Sequence, residues 1–135
     1  MKSNQTTLIL LMLSALLVFG CGRQKAMRNE VNGYTPLIAA IVDRNDEVAK
    51  ELIQNGVDIN AGDLSRMTPL HHAVSCGSVE MVNLLLDSGA DVNLKDEAGQ
   101  TAMRLASGLA KFWGLDDQII AALREHGATE SGSAK

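Results

Sequence analysis

The chain repeats itself every 33 residues. Thr35, Thr68 and Thr101 keep that spacing, and so do Ala40, Ala73 and Ala106. Gly56 and Gly89, Asp58 and Asp91, and Asn60 and Asn93 are pairs at the same interval. A unit this short holds only a pair of small elements and cannot bury its apolar face alone. Such units must stack on one another, and about three are needed for a stable array.

Each unit reads as two helices and a loop. Thr35 and Thr68 are placed to N-cap a first helix, with Pro36 and Pro69 at its first position, where a missing N–H is harmless. Ala39-Ala40 and Ala73-Val74 are small enough for a neighbouring helix to approach closely. Residues 43–46 and 75–78 are polar turns. Second helices follow at residues 47–55 and 79–88, where Val48, Leu52 and Ile53 recur at helical spacing, as do Val82, Leu85 and Leu86. Gly56 and Gly89 suit the left-handed position that ends a helix. An extended Val-Asp-Ile-Asn or Ala-Asp-Val-Asn then enters a hairpin-like loop.

The Thr-Pro-Leu-His at 68–71 and the Leu-Leu-Leu-Asp-Ser-Gly-Ala-Asp-Val-Asn at 84–93 resemble the ankyrin repeat. The resemblance implies an all-α fold, an ankyrin-repeat solenoid of three helix–turn–helix units with connecting hairpin-like loops. The units are 33–65, 66–98 and 99–129, followed by a polar tail at 130–135. Departures are local. Ile38 replaces the motif His of unit one, and Arg44 replaces its turn Gly. Arg66 stands where units one and three have Gly33 and Gly99, so that loop is expected to be reshaped, because a non-Gly residue resists positive φ. Unit three lacks the Pro and the His. It carries five extra residues, expected within 108–114 (Gly-Leu-Ala-Lys-Phe-Trp-Gly), and should cap the stack.

The N-terminus has a different character. Residues 1–7 are polar, residues 8–19 are an apolar run, and Gly20 precedes Cys21. A run of twelve is short for a bilayer span of roughly 20 residues, so it reads as a secretory signal peptide. The ending Leu17-Val18-Phe19-Gly20-Cys21 resembles a bacterial lipobox. That implies cleavage before Cys21, lipidation there with palmitate or a similar acyl chain, and attachment to the membrane through the lipid, with residues 21–32 as a tether. Gly22 implies an outer-membrane location facing the periplasm if the cell is Gram-negative. An ordinary secretory signal with a chance Cys is one alternative, and a plain transmembrane anchor is another.

Composition narrows the function. The formal net charge of −4 lacks the basic footprint of a nucleic-acid binder. The four aromatics (Phe19, Tyr34, Phe112 and Trp113) are too few for a typical β-sandwich core, which favours close-packed helices. Cys21 and Cys76 form neither a disulfide framework nor a zinc cluster. The three His residues share no ligand spacing, and neither a P-loop nor a Gly-x-Ser-x-Gly is present. No metal, cofactor or catalytic residue is expected. An enzyme using Cys76 or His72 is the rival class, without a supporting constellation. The resemblance gives His71 a structural role.

The ankyrin resemblance instead implies a monomeric binding module for an unidentified protein partner. The expected surface is the loop tips and first helices. Its candidate residues are Asp63, Leu64, Arg66, His72, Lys95, Asp96 and Glu97, with Val42, Asp43, Ser75, Met103 and Leu105 as further groove positions. Lys111, Phe112 and Trp113 join them as an aromatic-rich partner contact or, alternatively, as a cover for the stack's end. The leading functional expectation is a lipid-anchored module serving another envelope protein as scaffold, assembly factor or inhibitor. An immunity protein neutralising a basic toxin at the envelope is the sharper version.

Overall fold

The computed structural model describes residues 32–113 and 117–129. The signal at 1–20, Cys21, the rest of the tether up to residue 31, and the tail at 130–135 lie outside the described residues. The chain partitions after Gly33, and the second unit, Tyr34–Lys135, holds six described helices. These are α1 (Pro36–Val42), α2 (Asp46–Gln54), α3 (Pro69–Cys76), α4 (Val79–Asp87), α5 (Ala102–Trp113) and α6 (Asp117–Glu125). No strand occurs among the described residues.

The helices pair in sequence, α1 with α2, α3 with α4 and α5 with α6. Between units, α1 packs on α3 and α3 on α5, while α4 packs on α6. The 33-residue Ala positions make the close approach possible. Ala40, Ala73 and Ala106 are all buried within one continuous core. Around them lie Leu37 and Ile41 of α1, Leu70 and Val74 of α3, Met103 of α5, Leu85 of α4 and Leu123 of α6. Among the described residues no aromatic belongs to this cluster.

Local chemistry sets the helix limits. Thr35 Oγ1 accepts the Ile38 N–H at 3.2 Å, and Thr101 Oγ1 accepts the Arg104 N–H at 3.3 Å. The second helices are capped too, with Asn45 and Ser78 accepting from Val48 and Met81. Polar loop residues at 45 and 78 are thus N-caps, which satisfy donors that a helix leaves unpaired.

Two sequence expectations need correction and a third is made specific. Ser75 and Cys76 belong to the last turn of α3, because the left-handed stop falls at Gly77 with φ 68°. The insertion in unit three, expected within 108–114, lengthens a helix. Helix α5 has 12 residues against 8 in α3, so the added residues continue its hydrogen-bond ladder. The loop at Arg66 is not reshaped. Arg66 holds φ 59° beside 63° at Gly33 and 75° at Gly99.

The hairpin-like character of the loops comes from two hydrogen bonds. The Asp63 N–H donates to Met67 O at 3.0 Å and the Arg66 N–H to Asp63 O at 2.9 Å. Asp96 and Gln100, and Gly99 and Asp96, repeat the arrangement one unit later. This pattern is a three-residue hairpin turn whose last residue must be left-handed, which is why Arg66 adopts the glycine conformation.

Because Leu85 is fully buried in the shared core, Leu85→Ala should lower unfolding stability by about 2–5 kcal/mol. Urea denaturation of the full-length chain checks this, and a loss near zero would contradict the packing.

A candidate protein-binding edge

The loops at 62–67 and 94–100 form one edge. The Glu97 N–H donates to Ser65 O at 2.8 Å, tying the two tips together. Asp63, Arg66 and Lys95 line a recess of 180 Å³ with Asn60, Gly62, Thr68 and Leu94. Asp96 and Glu97 line a second one of 330 Å³ with Ser65, Met67 and Ala98. Leu64 projects from the same loop and is 70% exposed. Six of the candidate residues, Asp63, Leu64, Arg66, Lys95, Asp96 and Glu97, are thus neighbours.

Asp63 organises its loop. Its Oδ1 accepts the N–H groups of Ser65 and Met67 at 2.9 and 3.0 Å, and its Oδ2 lies 2.9 Å from His72 Nε2. The carboxylate is only 6% exposed. His72 is itself buried, at 8% exposure, and Tyr34 meets its ring edge-on with centroids 5.3 Å apart. The expected groove position at His72 is therefore a brace between helix and loop. Its imidazole is held on one side by a carboxylate and on another by an aromatic ring. Met103 is likewise a core residue, fully buried. Of the other groove positions, Ser75 is exposed, and Val42, Asp43 and Leu105 are half-buried.

Lys111 is exposed near the end of α5. Phe112 and Trp113 complete that helix, and their side chains lie outside the described residues. A larger open cleft of 390 Å³ separates α2 from α4. None of the expected binding residues lines it.

Polar bonds between units hold the edge in register. Asn60 Oδ1 accepts the Asp91 N–H at 2.9 Å, and Arg44 Nη2 donates to Cys76 O at 2.9 Å. The second bond puts a cation on the C-terminal carbonyls of α3, where it complements the helix dipole. His71 makes the third. Its Nδ1 accepts the Thr68 N–H at 3.2 Å, so the ring proton sits on Nε2, which donates to Gln100 O at 3.0 Å. The structural role implied for His71 thus spans two units. Asn60 and Arg44 went unnoticed as links from sequence alone, although a non-glycine at a turn-glycine position was a visible signal.

Cys76 is a free, half-buried thiol. His126 lies 3.9 Å from Asp87 with both side chains well exposed, a surface pair of little energetic consequence. Among the described residues no group of three or more His, Cys, Asp or Glu is placed to hold a metal ion. No described helix is long and apolar enough to cross a membrane.

Comparison with known proteins places this geometry. A family model described as ankyrin repeats (3 copies) matches residues 4–96. The chain belongs to the ankyrin-repeat family, whose fold is a protein-interaction scaffold. The matched span begins within the segment read as an export signal and stops before unit three, whose helices the structure supplies. Among solved structures the chain is similar to the ankyrin repeat domain of Bcl-3, a unique member of the IkappaB protein family. The two share 37% identity with a TM-score of 0.65, over 73% of this chain and 41% of that one. The chain therefore spans less than half of that domain's length. A comparison with curated proteins found no match.

Burial holds the pKa of His71 below the ordinary imidazole value. The Gln100 carbonyl and the charges of Asp96 and Asp63 oppose this shift, and the neighbouring His72 adds to it. The native ring is neutral, whereas the unfolded chain takes up the proton near the ordinary value of about 6.5. Stability should therefore fall as pH drops from about 6.5 toward the lowered native value, because the unfolded state binds more protons. Urea midpoints measured against pH should show this slope in the wild type and a shallower one in His71→Gln. Equal slopes would contradict the assignment.

Proposed function

We propose that the protein is a lipid-anchored ankyrin-repeat module that binds another protein of the cell envelope. The lipobox-like ending at Cys21 supports the anchor. Cleavage before Cys21 and acylation of its thiol would leave the tether joining lipid to repeats. Two or more acyl chains hold a protein on a membrane far longer than one. Gly22 favours the outer membrane, facing the periplasm, in a Gram-negative cell.

The observation that carries the binding reading is the joined loop-tip edge. It displays Leu64, 70% exposed, beside clustered charges of both signs. Buried polar side chains hold it from behind, so it is preorganised, and preorganisation lowers the entropic cost of association. Within this reading, inhibition of a basic toxin is the more specific possibility, supported by the net charge of −4. The rival enzyme reading gains nothing from the geometry, since His72 is occupied by Asp63 and Tyr34.

Two measurements test the proposal. Metabolic labelling with palmitate should mark the wild-type chain and be lost in Cys21→Ala; labelling that survives the change would refute the anchor. A photo-crosslinking residue at Leu64 in the anchored protein should capture one discrete envelope protein, and the same probe at exposed Glu51 should not. Equal capture from both positions, or from neither, would refute the edge as the binding surface.

A further inference from the structure

Two arginines stand in left-handed backbone at positions where other units carry glycine. Arg44 has φ 54° where unit two has Gly77, and Arg66 has φ 59° where the neighbouring units have Gly33 and Gly99. Arg44 is explained within the chain, because its guanidinium caps α3 through Cys76 O. Arg66 is not. Its backbone N–H donates to Asp63 O, but its guanidinium makes no hydrogen bond or ion pair among the described residues. Strained residues of this kind persist where the surroundings hold them, and they concentrate at functional sites.

The surroundings of Arg66 point to a ligand. It lines the 180 Å³ recess together with Lys95, a second cation with no partner among the described residues. Asp63 also lines the recess, but both its oxygens are taken by Ser65, Met67 and His72. Gly62 lets the loop close tightly behind the recess, since a Cβ there would stand 3.0–3.1 Å from the Arg66 backbone. Leu64 sits on the same loop, 70% exposed. A small recess with two free cations and an apolar neighbour suits a carboxylate followed by an apolar side chain.

We propose that this recess binds an acidic segment of a partner protein. One Asp or Glu carboxylate of that segment pairs with the fork of the Arg66 guanidinium and with Lys95, while an adjoining apolar residue packs on Leu64. A planar guanidinium accepts a carboxylate through two parallel hydrogen bonds, which a lysine cannot reproduce. Nucleic acid is disfavoured, because backbone recognition takes a row of cations and Asp96 and Glu97 lie alongside. An anionic membrane surface is disfavoured too, since such contacts use clusters of four to eight basic residues. The inference rests on the reading of the chain as a protein-binding module and names the chemistry of its partner.

The test is selection of random phage-displayed dodecapeptides on the full-length chain in mild detergent. The expected consensus contains Asp or Glu beside an apolar residue. A synthetic consensus peptide should bind at least tenfold more weakly to Arg66→Gly and severalfold more weakly to Lys95→Ala. Replacing its acidic residue with the amide should cost as much as losing Arg66. The thermal midpoint of Arg66→Gly should equal or exceed that of the wild type, because glycine accepts this φ without strain. A consensus without acid, binding indifferent to Arg66 and Lys95, no enrichment, or Arg66-dependent binding to phosphatidylglycerol vesicles instead of peptide would each overturn the proposal. Capture of an envelope protein through Leu64 that persists unchanged in Arg66→Gly would sink this inference alone and leave the module reading standing.

Discussion

No unit of this chain can close its own core, and the rest of the structure depends on that constraint. Each helix pair leaves a face that only the next pair covers, and the buried Ala40, Ala73 and Ala106 bring the first helices close enough to do so. The apolar term is non-directional. Register is set by the polar links from one unit to the next: Arg44 to Cys76, Asn60 to Asp91, and His71 to Gln100. Two of these links use side chains in loops or turns, so the same bonds that align the units also fix the edge that faces outward.

The period made most of this legible. A threonine, a proline and a terminal glycine recurring at 33 residues are enough to place helix starts and stops, because each has a local backbone consequence. What escaped the sequence reading depends on neighbours far along the chain. His72 sits next to a motif histidine, and periodicity says nothing about Asp63 and Tyr34 closing around it. Arg66 looked like a break in the loop pattern, but two hydrogen bonds, from the Asp63 N–H to Met67 O and from its own N–H to Asp63 O, overrule its preference for negative φ. The extra residues of unit three had no periodic partner to reveal that they extend α5. The candidate edge was legible as a set of residues, since loop tips repeat with the units. Which of those side chains are free and which are committed was not.

That division between committed and free groups links the fold to function. Asp63, His72, Asn60 and Arg44 hold the stack and its loops, whereas Leu64, Arg66 and Lys95 are presented at the surface. A binding surface built this way is rigid without being large. In the proposed reading its specificity comes from a few groups whose positions are imposed from behind. The proposed lipid tether would bring such a surface to a membrane.

Stacking makes one demand that can be measured directly. Among the described helices α3 is packed on both sides by first helices of other units, α1 and α5, and end units of a one-dimensional array have half the neighbour contacts. Native-state hydrogen exchange of the full-length chain should therefore find the slowest amides in α3, with those of α1, α2 and α6 opening at lower free energy. Amides of α6 or α1 exchanging as slowly as those of α3 would contradict a structure held together by its unit-to-unit interfaces.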